Sequence, residues 1–260
     1  MPEQSQIYIA LRLIERSMLV LYLKEIKGFL NSLLGYIVIA VFLLINGLFL
    51  WVFPLDTNIL DFGYASLDAL FQIAPFVFLF LIPAITMRFF AEEKKTGTIE
   101  LLMTRPLSDL QVILAKYFAG LTLVVISILP TFIYFYSVYQ LGYPKGNIDM
   151  GGMWGSYIGL IFLAASFVSI GLFASSITDN QIISFILGIV LSGFIYIGFE
   201  TIYSLDLFGS FDLLVKTLGI EAHYSAISRG VVDTRDLIYF LSLIALFILL
   251  TKTSIESRKW

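Results

Sequence analysis

Cysteine is absent from this chain of 260 residues, and histidine occurs once. The first absence excludes disulfides, thiolate metal sites and cysteine nucleophiles. The second excludes a histidine-based zinc centre, because one imidazole cannot complete a coordination shell. Charge is scarce too: Asp, Glu, Lys and Arg make up 13% of the residues, against 59% hydrophobic and 16% aromatic, and mean hydropathy is +0.92. A soluble domain could not solvate such a surface, so the composition is that of an integral membrane protein. The chain also lacks a G-x-x-x-x-G-K-S/T phosphate loop, so any nucleotide must be bound elsewhere. Paired intramembrane carboxylates, a Ser with a basic partner and His ligands for zinc are all missing, which excludes membrane-embedded proteolysis. No cofactor or metal is expected on this chain, and no nucleic-acid partner.

What is present is long apolar runs. A spanning helix needs about 20 mostly apolar residues. Segments 33–53, 69–90, 110–139, 156–176, 182–203 and 237–251 qualify, the last beginning nearer 233. Open strands cannot cross hydrocarbon, because their edges leave backbone groups unpaired, so six helices are predicted. No short apolar stretch ends in a small-residue cleavage site at the N-terminus, so the first long run reads as a signal anchor. Most of the 16 Lys and Arg residues fall on one side of this map, and the other side has only Lys145, Lys216, Arg229 and Arg235. The positive-inside rule makes the first side cytoplasmic, with both termini there. Trp51, Trp154, Tyr157, Tyr203 and Tyr239 sit where an interfacial aromatic belt would be. No repeat or linker divides the chain, which reads as one domain.

Residues 17–29 mix Met18, Leu19, Leu21, Tyr22 and Ile26 with Lys24, Glu25 and Lys27. That pattern predicts an amphipathic helix along the interface, with a continuation of the first span as the alternative. Gly28 and Asn31 offer a bend and favour a separate helix.

The most informative stretch is the short charged insert between the second and third spans. Gly97 breaks a helix, Glu100 stands near the start of a new one, Arg105 near its end, and Pro106 stops it. Ile99, Leu102 and Met103 share one face, as if to be buried against something, yet so few residues have no core of their own. A second protein on that side of the membrane is one candidate for the burial, and the bundle itself is the other. Ser108-Asp109-Leu110-Gln111 is a capping box, with Leu107 and Val112 placed as its hydrophobic staple. Thr178-Asp179-Asn180-Gln181 repeats the arrangement at a second corner on the same face.

Glu92-Glu93, Gly97 to Leu102, Arg105 to Ser108 and Lys116 together resemble the coupling segment of type-2 ABC exporter permeases. Lys24 to Lys27, Asn31-Ser32 and Gly35-Tyr36 are similar to that family's connecting helix and first span, and Ser175-Ser176 with Thr178 to Gln181 to its second cytoplasmic turn. Glu221 to Tyr224, Ser228 to Asp233 and Glu256 to Trp260 resemble the permease of gliding-motility-associated ABC transporters. The resemblance implies an all-α membrane protein of six transmembrane helices, preceded by an interfacial helix, in the cell's inner membrane. Residues 1–32 would be the N-terminus and connecting helix, 33–252 the permease domain and 253–260 a cytoplasmic tail. The coupling segment would be 91–109, the second turn 177–181 and the extracytoplasmic region 204–234, including a helix that dips back into the bilayer. Thr98, Ile99, Glu100, Leu102, Met103 and Arg105, with Thr178, Asp179, Asn180 and Gln181, would meet the ATPase. The partners implied are two copies of a cytoplasmic ATPase that binds ATP and Mg, a second permease copy or related permease, and an accessory membrane protein with a large extracytoplasmic domain.

Other residues have two readings. Ser184, Gly188 and Ser192 place small side chains every fourth position in the fifth span, for packing within one subunit or across a dimer. Gly155 and Gly159 do the same in the fourth. His223 suits a local hydrogen bond, and Asn46 an interhelical one. Gln72 and Glu200 lie near span ends, and Pro75, Pro83 and Pro130 should kink their helices. Scarce buried charge argues against an ion- or proton-coupled carrier. Three functions remain open: a permease of an exporter of the gliding-motility type, a permease of another branch with different cargo, and a structural anchor that translocates nothing.

Overall fold

The computed structural model describes residues 18–103, 107–206, 209–230 and 233–257, and no strand occurs among them. Helix α1 covers 18–30 and ends at Asn31, while Gly28 stays inside it. Ser32 then opens a new helix, α2 (Leu33–Trp51), its hydroxyl accepting from the Gly35 amide and donating to Phe29 O at 2.7 Å. This is a separate helix rather than a continued span. Leu19, Val20 and Leu23 are exposed on α1, while Leu21 and Phe29 are buried beneath it.

Among the described residues, six stacks are long and apolar enough to span a membrane: Leu33–Trp51, Asp68–Lys95, Asp109–Leu141, Met150–Ile177, Gln181–Ser204 and Thr234–Glu256. After a short helix, α3 (Ile59–Phe62), the second is α4 (Asp68–Thr86), a turn, and α5 (Ala91–Lys95). Pro75 and Pro83 lie inside one continuous α4. The third is α7 (Asp109–Ile128) and α8 (Phe132–Leu141), separated by a 3-10 turn at Leu129–Thr131, where Pro130 removes an amide. The fourth, α9 (Met150–Ile177), starts earlier than predicted because Asp149 caps it, accepting from Gly152 N at 3.0 Å. The fifth is α10 (Gln181–Gly193), a π-turn at Phe194–Gly198, and α11 (Phe199–Ser204). The last is α14 (Thr234–Glu256), which begins near 233 as predicted, with Asp233 as its cap.

Helix α9 is the hub. Its apolar window is 78% buried, against 22–28% for the first, fifth and sixth spans, and it touches α4, α7, α10 and α14. Small residues make this possible: Gly155, Gly159, Ala164, Ala165, Ser166, Ser169, Gly171, Ala174 and Ser175 are all buried in it. At these positions neighbouring helices approach closely, which is how helices associate in lipid.

At the end of the bundle away from the termini, α12 (Asp212–Thr217) and α13 (Ile220–Ile227) fill the space before α14. Tyr224 donates its hydroxyl to Phe71 O at 2.6 Å, and Ser156 Oγ donates to Ser228 O at 2.7 Å, which pins α13 to α4 and α9. The Gly155 and Gly159 stripe serves this same contact, since Ile227 lies directly over both. His223 bridges α12 and α14. Its Nε2 donates to Thr217 O at 2.9 Å, Nδ1 lies 2.6 Å from Asp236 Oδ1, and the ring stacks on Tyr239 at 3.9 Å. A backbone carbonyl can only accept, so Nε2 must carry a proton.

Candidate functional site

The face that carries both ends of the described chain also carries the two predicted corners. Gly97, at φ 71°, turns the chain from α5 into α6 (Thr98–Met103), a left-handed conformation that glycine adopts without strain. Ser108 then opens α7 with the predicted reciprocal cap: its amide donates to Gln111 Oε1 at 2.9 Å, and its hydroxyl accepts from Gln111 N at 3.4 Å. Leu107 and Val112 flank this cap in the shared core.

The second corner departs from its prediction. Thr178 does not open a capping box, because residues 178–180 are not helical and α10 starts at Gln181. Asn180 is the cap, its Oδ1 accepting from Ile182 N at 2.9 Å, while Thr178 Oγ1 accepts from Asn180 N at 3.1 Å. Asparagine adjacent to the helix start satisfies two amides there, a position Thr178 is too far back to fill.

The two corners touch. Helix α5 packs against both α9 and α10. Ser175 Oγ accepts from Phe90 N at 2.9 Å and from Ala91 N at 3.0 Å, covering amides that the break after α4 leaves without helical partners. Lys94 Nζ donates to Ser176 O, which also accepts from Ser254 Oγ of α14 at 3.0 Å. One carbonyl at the end of α9 thus joins the insert to the last span.

Beneath this lies a buried ionic node. Lys116, eight positions into the third span's stack, has a side chain 1% exposed. Its Nζ donates to Glu25 Oε1 of α1 at 2.9 Å and to Glu93 Oε1 of α5 at 2.8 Å. It also lies over the Phe90 ring at 5.3 Å. Lys24, at 3.8 and 3.9 Å from the same two carboxylates, balances the second negative charge. Glu93 Oε2 is buried with no hydrogen-bond partner among the described residues. The node ties the interfacial helix, the insert and the third span at one point. Removing one member of such a group exposes the others to an uncompensated charge, which typically costs about 3–5 kcal/mol.

Of the predicted contact residues, Thr98 and Glu100 are exposed, and Ile99 is partly buried against the bundle core. Leu102 and Met103 belong to α6 by backbone, but their side chains, like all of Arg105, lie outside the described residues. Asp179 and Asn180 are exposed at the second corner, with Thr178 and Gln181 half-buried.

The dimer stripe needs correcting. Ser184, Gly188 and Ser192 are buried within the subunit, facing α4; a Cβ at Gly188 would come within 3.0 Å of the Pro83 ring. The exposed face of α10 is the opposite one, with Ile182, Ile186 and Val190. Small residues let α10 lie against Pro83, so this stripe is spent on packing its own subunit.

The node itself was missed by reasoning from sequence, in which Lys116 counted towards orientation and towards the resemblance of the coupling segment but was given no partners. The signal was there: a lysine well inside an apolar helix demands anionic partners, and Glu25 and Glu93 are the acids nearest that depth on neighbouring segments.

The described residues form an all-helical bundle with six helices long and apolar enough to cross a membrane and a short charged insert held at one face, the build of a multi-pass membrane protein. The chain matches the family model of ABC-2 family transporter proteins over residues 52–252, most of its length, and it belongs to that family. It is thus a permease component of an ABC transporter, and membership implies association with an ABC ATPase and with lipid. A comparison with curated proteins returned no match.

Proposed function

We propose that this chain is the permease subunit of an ABC exporter of the gliding-motility-associated type. Two copies, or one copy and a related permease, sit in the inner membrane with both termini cytoplasmic. Two copies of a separate ATPase, which holds ATP and Mg, dock below. Residues 96–104 enter the ATPase as a coupling helix, and the 177–181 turn lies beside it. An accessory membrane protein with a large extracytoplasmic domain completes the machine. Orientation is supported by the Lys and Arg distribution, and the exporter type by the resemblance of 221–233 and 256–260 to gliding-type permeases.

The observation that carries this reading is the Lys116 node. A docking insert that merely decorated the surface would need no buried ionic link to the spans. Here Glu93, four residues before Gly97, is tied to the third span and to the interfacial helix. A push on α6 reaches both through α5. The Lys94 and Ser175 contacts carry the same displacement to the hub helix.

Leu102→Asp places a charge on the docking face and should abolish copurification of the ATPase, with Lys145→Asp at the other end of the bundle as the control. Burying a leucine contributes about 1.5–3 kcal/mol, so the loss is measurable. Full ATPase binding and turnover in an inserted Leu102→Asp protein would sink the coupling assignment and leave a structural anchor.

A further inference from the structure

A cavity of about 890 Å³ opens among the starts of α4 and α9, helix α13 and the π-turn of the fifth span, at the end of the bundle away from the Lys116 node. The volume lies in the range of small-molecule sites, about 300–1,000 Å³. Its walls are of two kinds. Phe71, Phe76 and Tyr196 provide aromatic surface, and Asp68, Asp149 and Glu221 provide carboxylates against a single base, Arg229.

The polar groups are not equally free. Asp149 commits Oδ1 to capping α9. Arg229 Nε donates to Ser225 O at 3.0 Å. Lys216, the nearest ammonium, is paired with Glu200 at 3.1 Å and lies over the Tyr203 ring at 4.6 Å. Glu221, by contrast, makes no hydrogen bond or ion pair among the described residues. Burial, and then the Glu200 charge, hold its carboxyl above the usual range, with Lys216 opposing. That is the mark of a negative site lacking its counter-charge.

An independent observation points to a ligand. Tyr196 is 5% exposed and lines the cavity, yet its hydroxyl makes no hydrogen bond among the described residues. The residue is carried on the π-turn Phe194–Gly198, a local irregularity that turns it toward α13 and the Glu221 charge. π-Turns occur disproportionately at functional sites. A phenol whose hydroxyl opens on the cavity without a protein partner, beside an unpaired carboxylate, leaves two acceptor atoms for one donor or cation.

The geometry points to a binding site for an organic ammonium ion, its charge held by Glu221 and the face of Tyr196, its apolar body against Phe71 and Phe76. Aromatic faces attract such cations through the ring quadrupole, and a carboxylate in a partly dry wall adds directly to that attraction. The site is distinct from the ATPase-facing corner, so it stands or falls independently of the coupling assignment.

The test uses the full chain in maltoside detergent, which carries no ammonium group, with benzyltriethylammonium as the probe and calorimetric titration as the readout. Saturable binding is expected, with benzenesulfonate, the anionic counterpart, not binding. Glu221→Gln should weaken the cation by about tenfold or more, and Phe76→Leu by a few-fold. Lys252→Gln, in a half-exposed pair with Glu256 at the other end of the bundle, should leave the affinity unchanged. Asp68→Asn, at an exposed position, is the second acidic variant should Glu221→Gln fold poorly, and it should weaken the cation a few-fold. Absence of binding at millimolar probe, equal binding of the anion, or unchanged affinity in whichever acidic variant folds would each overturn the assignment.

Discussion

Gly171 and Thr86 meet so closely that a Cβ on the glycine would overlap the threonine Oγ1. Thr86 is the last residue of α4, and its hydroxyl donates to Ile82 O at 3.0 Å. The contact therefore sets the point at which the second span gives way to the insert. Gly171→Ala should destabilise the protein by about 1–3 kcal/mol through overpacking. Thr86→Ala in the same chain removes the obstructing atoms and should recover much of that loss. Melting of the detergent-solubilised single and double variants checks it, and a wild-type midpoint for Gly171→Ala would refute the contact.

Lys116→Met tests transmission as distinct from folding. Alone it strands Glu25 and Glu93 beside each other, a loss of about 3–5 kcal/mol. Adding Glu25→Gln and Glu93→Gln removes both stranded charges and should restore most of the stability. The neutral triple variant is then expected to bind ATPase normally and to lose stimulation of ATP turnover. Normal stimulation in a stable triple variant would show that the node only holds the fold.

Gly188→Leu separates the two uses of a small-residue stripe. Because Pro83 lies over this position, the larger side chain should lower the melting midpoint, at a cost of about 1–3 kcal/mol. Oligomer mass in detergent should not change. Dissociation of subunits without loss of thermal stability would return the stripe to the dimer.

Glu221 predicts a pH dependence. Its carboxyl is raised above the ordinary value of 4.5 by burial first and by Glu200 second. In the window between the ordinary and the raised value, the folded protein keeps a proton that the unfolded chain has released. Stability then falls as pH rises through that window. Glu221→Gln should flatten the decline, read as the difference between the melting midpoints of wild type and variant across the window. Parallel curves would count against a buried, unpaired carboxyl.

The six spans were legible in the sequence because lipid demands long apolar helices whatever their neighbours. Ser108 marked a helix start by local chemistry alone, and the structure keeps it. Failures came where a choice depended on tertiary neighbours. Spacing put Ser184, Gly188 and Ser192 on one face but could not say which helix that face met. Thr178 and Asn180 are both good caps, and only the path of the chain selects Asn180. The π-turn at Phe194–Gly198 has no proline to announce it, only Gly193 and Gly198, and glycines are also common in unbroken spanning helices. Lys116 shows the reverse case: its position alone called for partners, and the chain supplies Glu25 and Glu93 from far away in sequence.

The deep burial of α9 has a consequence for how this sequence can drift over time. Enlarging almost any of its glycines, alanines or serines forces a neighbour to move. At Leu44, Ile186, Val190, Ile238 or Leu249, which face outward, one large apolar side chain can replace another at little cost. Substitutions should therefore accumulate on the outer spans and stay rare along one narrow central strip. Distant relatives would share few letters overall, and their common ancestry would be recorded chiefly in where the small residues fall.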